Sequence, residues 1–296
     1  MSTDEVTQPI ESPTGSVDDL VSAVSPGVLA GAMSLVGLGI LALVRIGLNL
    51  PASAPLSGLV PSGGTLSAAY PLAVGLATAA PAAGLLLLGL RAERTAVLVG
   101  GTFAGVFGGL SMVARPATLP ATLAIGGALL GVAADRAVRV GQDRAQFGRA
   151  VVGSALALGG ILSLLAGVGV EPATLRPLGT GVVLLAVAGS PAFAGWDRQG
   201  LLVGLGAGAA VLAVGSTAPF VTGAVSLVVG GAVGASLPLL FLAAVGATSL
   251  LWSGLRRGRW TLALAASLLL VAGIPATVPR GLGFLVALVL LGGVDR

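Results

Sequence analysis

The chain has 296 residues, of which 55% are hydrophobic and 48 are Gly, while only 9% are charged. A soluble domain carries roughly 25% charged residues, so this composition excludes a water-soluble fold and makes a bilayer the solvent for most of the chain. The formal charge of +4 comes from 15 basic residues, all of them Arg, and 11 acids. The Arg are spread over many breaks rather than gathered in one stripe, so the excess does not point to nucleic acid.

His, Cys and Lys are absent. Their absence removes the usual protein-ligated haems, thiolate clusters, ordinary zinc sites, disulfides, Schiff bases and the Ser-His and Ser-Lys nucleophile systems. The remaining acids are Asp4, Glu5, Glu11, Asp18, Asp19, Glu93, Asp135, Asp143, Glu171, Asp197 and Asp295, and none falls in the middle of an apolar segment. Intramembrane aspartyl proteolysis and proton pumping through a buried acid therefore have no candidate residues. The one adjacent pair, Asp18 and Asp19, is read as helix-capping or solubilising; metal-diphosphate binding would need a second acidic cluster. A non-enzymatic protein is expected, with no catalytic, cofactor-binding or metal-binding residues and no cofactor.

In chain order, residues 1–25 form a polar tail with five acids and no Arg. The tail lacks the positive region of a signal peptide. Ser16 followed by Asp19 resembles a capping box, and Val17, Leu20, Val21 and Val24 fall at helical spacing, which predicts a short amphipathic helix leading to the membrane. Residues 26–296 form the transmembrane domain. Apolar segments lie near 28–50, 67–90, 95–114, 120–134, 150–170, 178–195, 200–216, 220–252, 260–274 and 281–294. Several are shorter than the ~20 residues that a helix needs to cross a ~30 Å core, so they must borrow flanking turns or thin the bilayer.

The breaks between the segments are of two alternating kinds. Charged breaks fall at 91–94, 135–149, 197–199, 256–259 and 295–296, and Pro-rich breaks at 51–61, 115–120, 171–177, 216–219 and 275–280. Pro-Ala-Thr recurs in the second kind at Pro116, Pro172 and Pro275, with Pro51-Ala52-Ser53 as a looser copy. The residue before Pro leaves the helical region and a following Pro can start the next helix, so the repeating unit is a helical hairpin. Reuse of one turn chemistry and internal duplication both account for it.

The expected fold is an all-α polytopic bundle of about ten helices arranged as hairpins. Eleven Arg lie at the charged breaks and the C-terminus, against Arg115, Arg176 and Arg280 at Pro-rich breaks, so the positive-inside rule gives N-in, C-in. Trp196, Trp252 and Trp260 adjoin charged breaks, as interfacial indoles do. If 220–252, which contains Pro238, were two helices, eleven spans would result and the bias would fall to eight against six. The Arg-free tail before the first segment, with Arg45 near its far end, by itself favours the reverse insertion.

Arg45 is the one ionisable residue well inside a predicted span, and about one and a half turns from its end it is read as snorkelling to the interface. A substrate or helix-pairing role, shared with Asn49, is the alternative. Arg45, Arg115, Arg176 and Arg280 each adjoin a Pro-Ala-Thr or Pro-Ala-Ser turn, and a ring of guanidinium groups there would hold an anionic solute or headgroup. Interfacial anchoring is the simpler account. Glycines four apart, such as Gly101 with Gly105, Gly127 with Gly131 and Gly204 with Gly208, are no more frequent than chance at this glycine content. The basic loop 135–149 serves as the positive-inside anchor, or as a docking surface for anionic lipid or a soluble partner.

Lysine-free, Ala/Gly/Val/Leu-rich helices behind an acidic leader resemble the uncharacterised polytopic membrane proteins of halophilic archaea. Size, helix number and orientation also resemble the drug/metabolite transporters. That family's inverted five-helix halves would repeat the turn after helix 3 at the turn after helix 8, where this chain has 256–259 without Pro. The expected function is a membrane-embedded subunit or scaffold of a complex in the cell membrane. Lipid surrounds it, and a membrane or cytosolic protein partner would dock at 1–25 or 135–149. The alternative is a permease for a small neutral or anionic solute, which should break helices at mid-depth; Pro81, Pro191 and Pro238 are the candidates.

Overall fold

The structure, a computed structural model, describes residues 25–49, 63–138, 144–217 and 235–293. Among the described residues ten α-helices follow one another: α1 Pro26–Asn49, α2 Gly63–Arg91, α3 Thr95–Val113, α4 Thr118–Val138, α5 Arg144–Gly167, α6 Pro172–Ala188, α7 Arg198–Thr217, α8 Leu237–Arg256, α9 Trp260–Ala272 and α10 Val278–Leu291. Short 3-10 turns fall at Arg115–Ala117 and Ser190–Phe193, and there is no strand among the described residues. Seven helices, α1 to α5 with α7 and α8, are long and apolar enough to cross a membrane. The expected amphipathic helix of residues 1–25 lies outside the described residues, apart from Ser25.

Sequence neighbours pack as antiparallel pairs, α1 on α2 through to α5 on α6, and again α7 on α8 and α9 on α10. α6 also packs on α8, and α9 on α1. The helix in the middle is the last. α10 contacts α1, α2, α3, α4, α5 and α9, and every one of its residues except Pro279 is buried. At 14 residues it is about 21 Å long, short of a ~30 Å hydrocarbon core. Its partner α9 has 13 residues, and the link between them is itself buried at Gly273, Ile274 and Pro275. A helix ending inside lipid would leave its carbonyls unpaired, so two such short helices fit only where protein surrounds their ends. Gly273 makes the break with φ 56° and ψ −121°, a backbone conformation that a side chain would strain.

Several expected boundaries are corrected. Segment 220–252 is α8 from Leu237 onward, with Pro238 in the first turn where proline needs no donor, so Pro238 is not a mid-depth break; residues 218–234 lie outside the described residues. Helix 178–195 is α6 from Pro172 to Ala188, and Pro191 then belongs to a 3-10 turn because it cannot continue the α ladder. Of the three candidate breaks, Pro81 alone sits inside a long helix, α2, which also contains Pro71. The loop expected at 135–149 is mostly helical: α4 runs to Val138 and α5 starts at Arg144, since Ala and Arg are good helix formers whatever their charge.

Ten-fold alternation holds across the undescribed link. Gly200 faces Ser249 and Ser253, Gly208 faces Phe241, and Gly215 faces Leu237, so α7 and α8 run antiparallel and Thr217 and Leu237 share one end. The charged breaks converge at the opposite end, where Arg94 meets Gly292, Arg149 meets Ala192, and Arg256 meets Asp197. An eleven-span order would have put Arg256 at the other end from Asp197.

Candidate functional site

Of the four arginines near Pro-rich turns, the structure brings two together. Arg280, in the first turn of α10, is buried, with Arg45 of α1 and Tyr70 of α2 inside its electrostatic range. Arg115, in a 3-10 turn, and Arg176, in α6, are both exposed and do not join them. The expected ring of four is therefore a pair, one buried and one half-buried, because α10 starts at Val278 rather than near 281 and carries Arg280 inward with the central helix. The most buried of these cations is Arg280 and not Arg45, which is half-buried. Asn49 does not reach a guanidinium: its amide donates to the Arg45 carbonyl at 2.8 Å and closes the end of α1.

The charged end holds a larger polar assembly, built around the C-terminus of α10. The last turn of α10 is buried, and Gly292 and Gly293 N–H bond back to its Leu288, Val289 and Leu290 carbonyls. Arg136 at the end of α4 donates through Nη2 to the Leu288 carbonyl, and Arg94 at the start of α3 donates through Nη1 to the Gly292 carbonyl at 3.3 Å. Cations suit this position because the helix dipole is negative there. Arg94 also lies 4.0 Å from Asp135, and the Arg136 guanidinium stacks 5.4 Å over the Phe193 ring.

The turn carrying Phe193 is tied down from two sides. Arg149 of α5 donates through Nε to the Ala192 carbonyl at 3.2 Å, and Arg257 donates through Nη1 to the Ala194 carbonyl. Arg256 donates to Gln199 and lies 3.7 Å from Asp197. Between these groups are two adjoining cavities. One of about 280 Å³ is lined by Arg94, Asp135, Arg136, Gln146, Arg149 and Phe193. Another of about 250 Å³ is lined by Arg149, Phe193, Arg259, Thr261, Leu262 and Leu290.

This arrangement caps helix and turn carbonyls with guanidinium groups. It places no nucleophile beside a base, and among the described residues no three of His, Cys, Asp and Glu come together as metal ligands would. Sequence reading assigned the arginines of 135–149 to interfacial anchoring and missed that Arg136 and Arg94 cap a buried helix. Both lie within a turn of the ends of apolar segments, but which carbonyl each one meets depends on α10 being central, and no local signal carries that.

Comparison of the sequence with family models places residues 27–292 in an integral membrane family of unknown function (DUF8068), and the chain belongs to that family. Comparison with curated proteins and with solved structures gives no match.

Proposed function

We propose that this member of an integral membrane family is a non-enzymatic, membrane-embedded subunit or scaffold of a complex in the cell membrane, with both termini cytoplasmic. The observation that carries the proposal is the filled axis. Phe284, Leu285 and Leu288 of α10 are at most 1% exposed, so the middle of the described bundle is packed with apolar side chains. Four buried hydroxyls turn back on their own helices, Ser34 donating to Ala30, Thr78 to Val74, Thr122 to Thr118 and Ser163 to Gly159, while those of Thr102, Ser190 and Ser249 are buried without a hydrogen-bond partner among the described residues. Hydroxyls engaged in this way are not offered to a substrate. The lack of His, Cys and Lys and the placement of the acids support a non-enzymatic role. The excess of Arg at the charged end supports placing that end in the cytoplasm.

One observation favours a permease for a small neutral or anionic solute as the second reading. A half-length helix starts at a buried break and carries a buried Arg beside another Arg and a Tyr, which resembles the discontinuous helices that bind anions in transporters. Extraction of the tagged chain from its native membranes into polymer nanodiscs tests the choice. A scaffold should leave the membrane in a fixed ratio with another polypeptide. Solute flux through proteoliposomes that contain this chain alone would overturn the scaffold in favour of the permease.

A further inference from the structure

We propose that the paired cavities at the charged end are a binding site for the phosphodiester headgroup of an anionic membrane lipid. The two cavities share Arg149, Phe193, Leu291 and Gly292 as walls, so they are two lobes of one recess. Among the described residues four guanidinium groups line it, from Arg94, Arg136, Arg149 and Arg259, against a single carboxylate, Asp135, which is 4.0 Å from Arg94. The recess therefore carries an excess of positive charge held by neighbouring helices.

The cations keep donors in reserve. Arg149 spends Nε on the Ala192 carbonyl, and its two terminal nitrogens make no hydrogen bond or ion pair among the described residues. The Arg259 side chain is exposed and likewise has no such partner among the described residues. Arg136 Nη1 is sealed from solvent without a hydrogen-bond acceptor. A guanidinium fork matches two oxygens of one phosphate, and a phosphodiester supplies that pair with one negative charge.

A soluble phosphate would share this chemistry, and the surroundings favour the lipid. Trp196, 66% exposed, and Trp260, 58% exposed, flank the recess in sequence, adjoining the Phe193 turn and Arg259, and exposed indoles of this kind lie at headgroup depth. One lobe has Leu262, Leu290 and Leu291 in its wall beside Arg149, Arg259 and Thr261, a mixed lining that suits a headgroup joined to glycerol. Basic pockets between helices at the cytoplasmic face are the sites where anionic headgroups are held. Whether the chain acts as scaffold or permease does not bear on this site.

The test places the full-length protein in nanodiscs of phosphatidylcholine with about a tenth phosphatidylglycerol, and counts the retained lipids by native mass spectrometry. The wild type should retain phosphatidylglycerol about tenfold above its share, and the Arg149→Gln/Arg259→Gln variant should retain it near its share, as expected from losing two interfacial cations. Arg115→Gln/Arg176→Gln, at the opposite end, should keep the enrichment. Arg259→Gln alone alters an exposed side chain and is the fallback if the double variant misfolds; it should lower the enrichment about threefold. Inorganic phosphate should displace the lipid no better than chloride at equal ionic strength. No enrichment in the wild type, enrichment that survives both variants, or displacement by inorganic phosphate each overturns the lipid site.

Discussion

If α10 fills the axis of the bundle, removing its largest side chain must open a hole that nothing can enter. Phe284 is fully buried, and its ring lies where a Cβ on Gly160 would be 3.0 Å from Cε1. Phe284→Ala removes roughly 100 Å³, which at about 24 cal/mol per Å³ of cavity costs about 2.4 kcal/mol. The transfer contribution that would raise this figure in a soluble protein is nearly absent, because lipid is as apolar a surrounding for the unfolded helices as the protein interior. Leu285→Ala should cost about 2 kcal/mol on the same scale. Leu202→Ala, on a residue 68% exposed toward lipid, should cost under about 0.5 kcal/mol.

Gly160→Val provides the converse, since its added atoms meet the Phe284 ring at 3.0 Å and Leu129 Cδ1 at 3.2 Å; overpacking of this kind costs about 1–3 kcal/mol. Combining Gly160→Val with Phe284→Ala lets valine enter the vacated space, so the pair should be less destabilised than the sum by at least about 1 kcal/mol. Unfolding by dodecyl sulfate in mixed micelles, followed by helix content, measures all of these. A Phe284→Ala cost no larger than that of Leu202→Ala, together with additive behaviour of the pair, would refute a core packed around α10.

Arg45→Leu should leave stability within about 0.5 kcal/mol, because it removes a snorkelling charge near the like-charged Arg280; a folded protein that has lost its function would shift the weight to the permease. Gly246→Ala should destabilise by about 2 kcal/mol or more in the same titration, since its Cβ would lie 2.3 Å from the Val187 carbonyl oxygen and 2.5 Å from Ala188 Cα, neither of which can rotate away. Gly206→Ala meets nothing within 4 Å and should instead gain up to about 1 kcal/mol of helix propensity. On this Cys-free background, Glu93→Cys and Arg259→Cys should react with an impermeant thiol reagent from one side of the membrane and Ala173→Cys from the other; labelling of Glu93→Cys and Arg259→Cys from opposite sides contradicts ten-fold alternation.

The hairpin order was legible because charge and proline mark the two ends of every helix in different ways. Which helix is central was not. In water a buried face declares itself by contrast with a polar one, but in lipid both faces are apolar, so α7 and α10 read alike. Yet Leu202 and Leu205 of α7 are exposed while nearly all of α10 is buried. The glycine pairs show the same limit. Gly204 and Gly208 pack against Val245 and Phe241, and Gly101 and Gly105 against the carbonyls of Leu85 and Ala82, whereas Gly127 faces nothing within 4 Å. Spacing alone does not separate these cases, because a four-residue interval fixes a helix face without fixing what lies opposite. The mistaken loop at 135–149 has a related cause: charge was read as exposure, while Arg136 and Arg149 carry their guanidinium groups back toward buried carbonyls.

The central position of α10 gives its two ends different meanings. At the C-terminal end the dipole is negative; Gly292 and Gly293 N–H already bond to the Leu288, Val289 and Leu290 carbonyls, and Arg136 adds a second donor at Leu288 while Arg94 donates to Gly292, charges that suit this end of the helix. At the N-terminal end the dipole is positive, yet Arg280 stands in the first turn with Arg45 in range. Helix electrostatics favours a carboxylate there and opposes a guanidinium. The first pair of arginines is thus explained by folding alone, and the second is held against the local field. Stability selects the first arrangement for any sequence with a buried short helix. Helix electrostatics does not select the second, so on the permease reading proposed above an anion is to be sought at Arg280 and Arg45, beside Tyr70, rather than at the more numerous arginines of the opposite end.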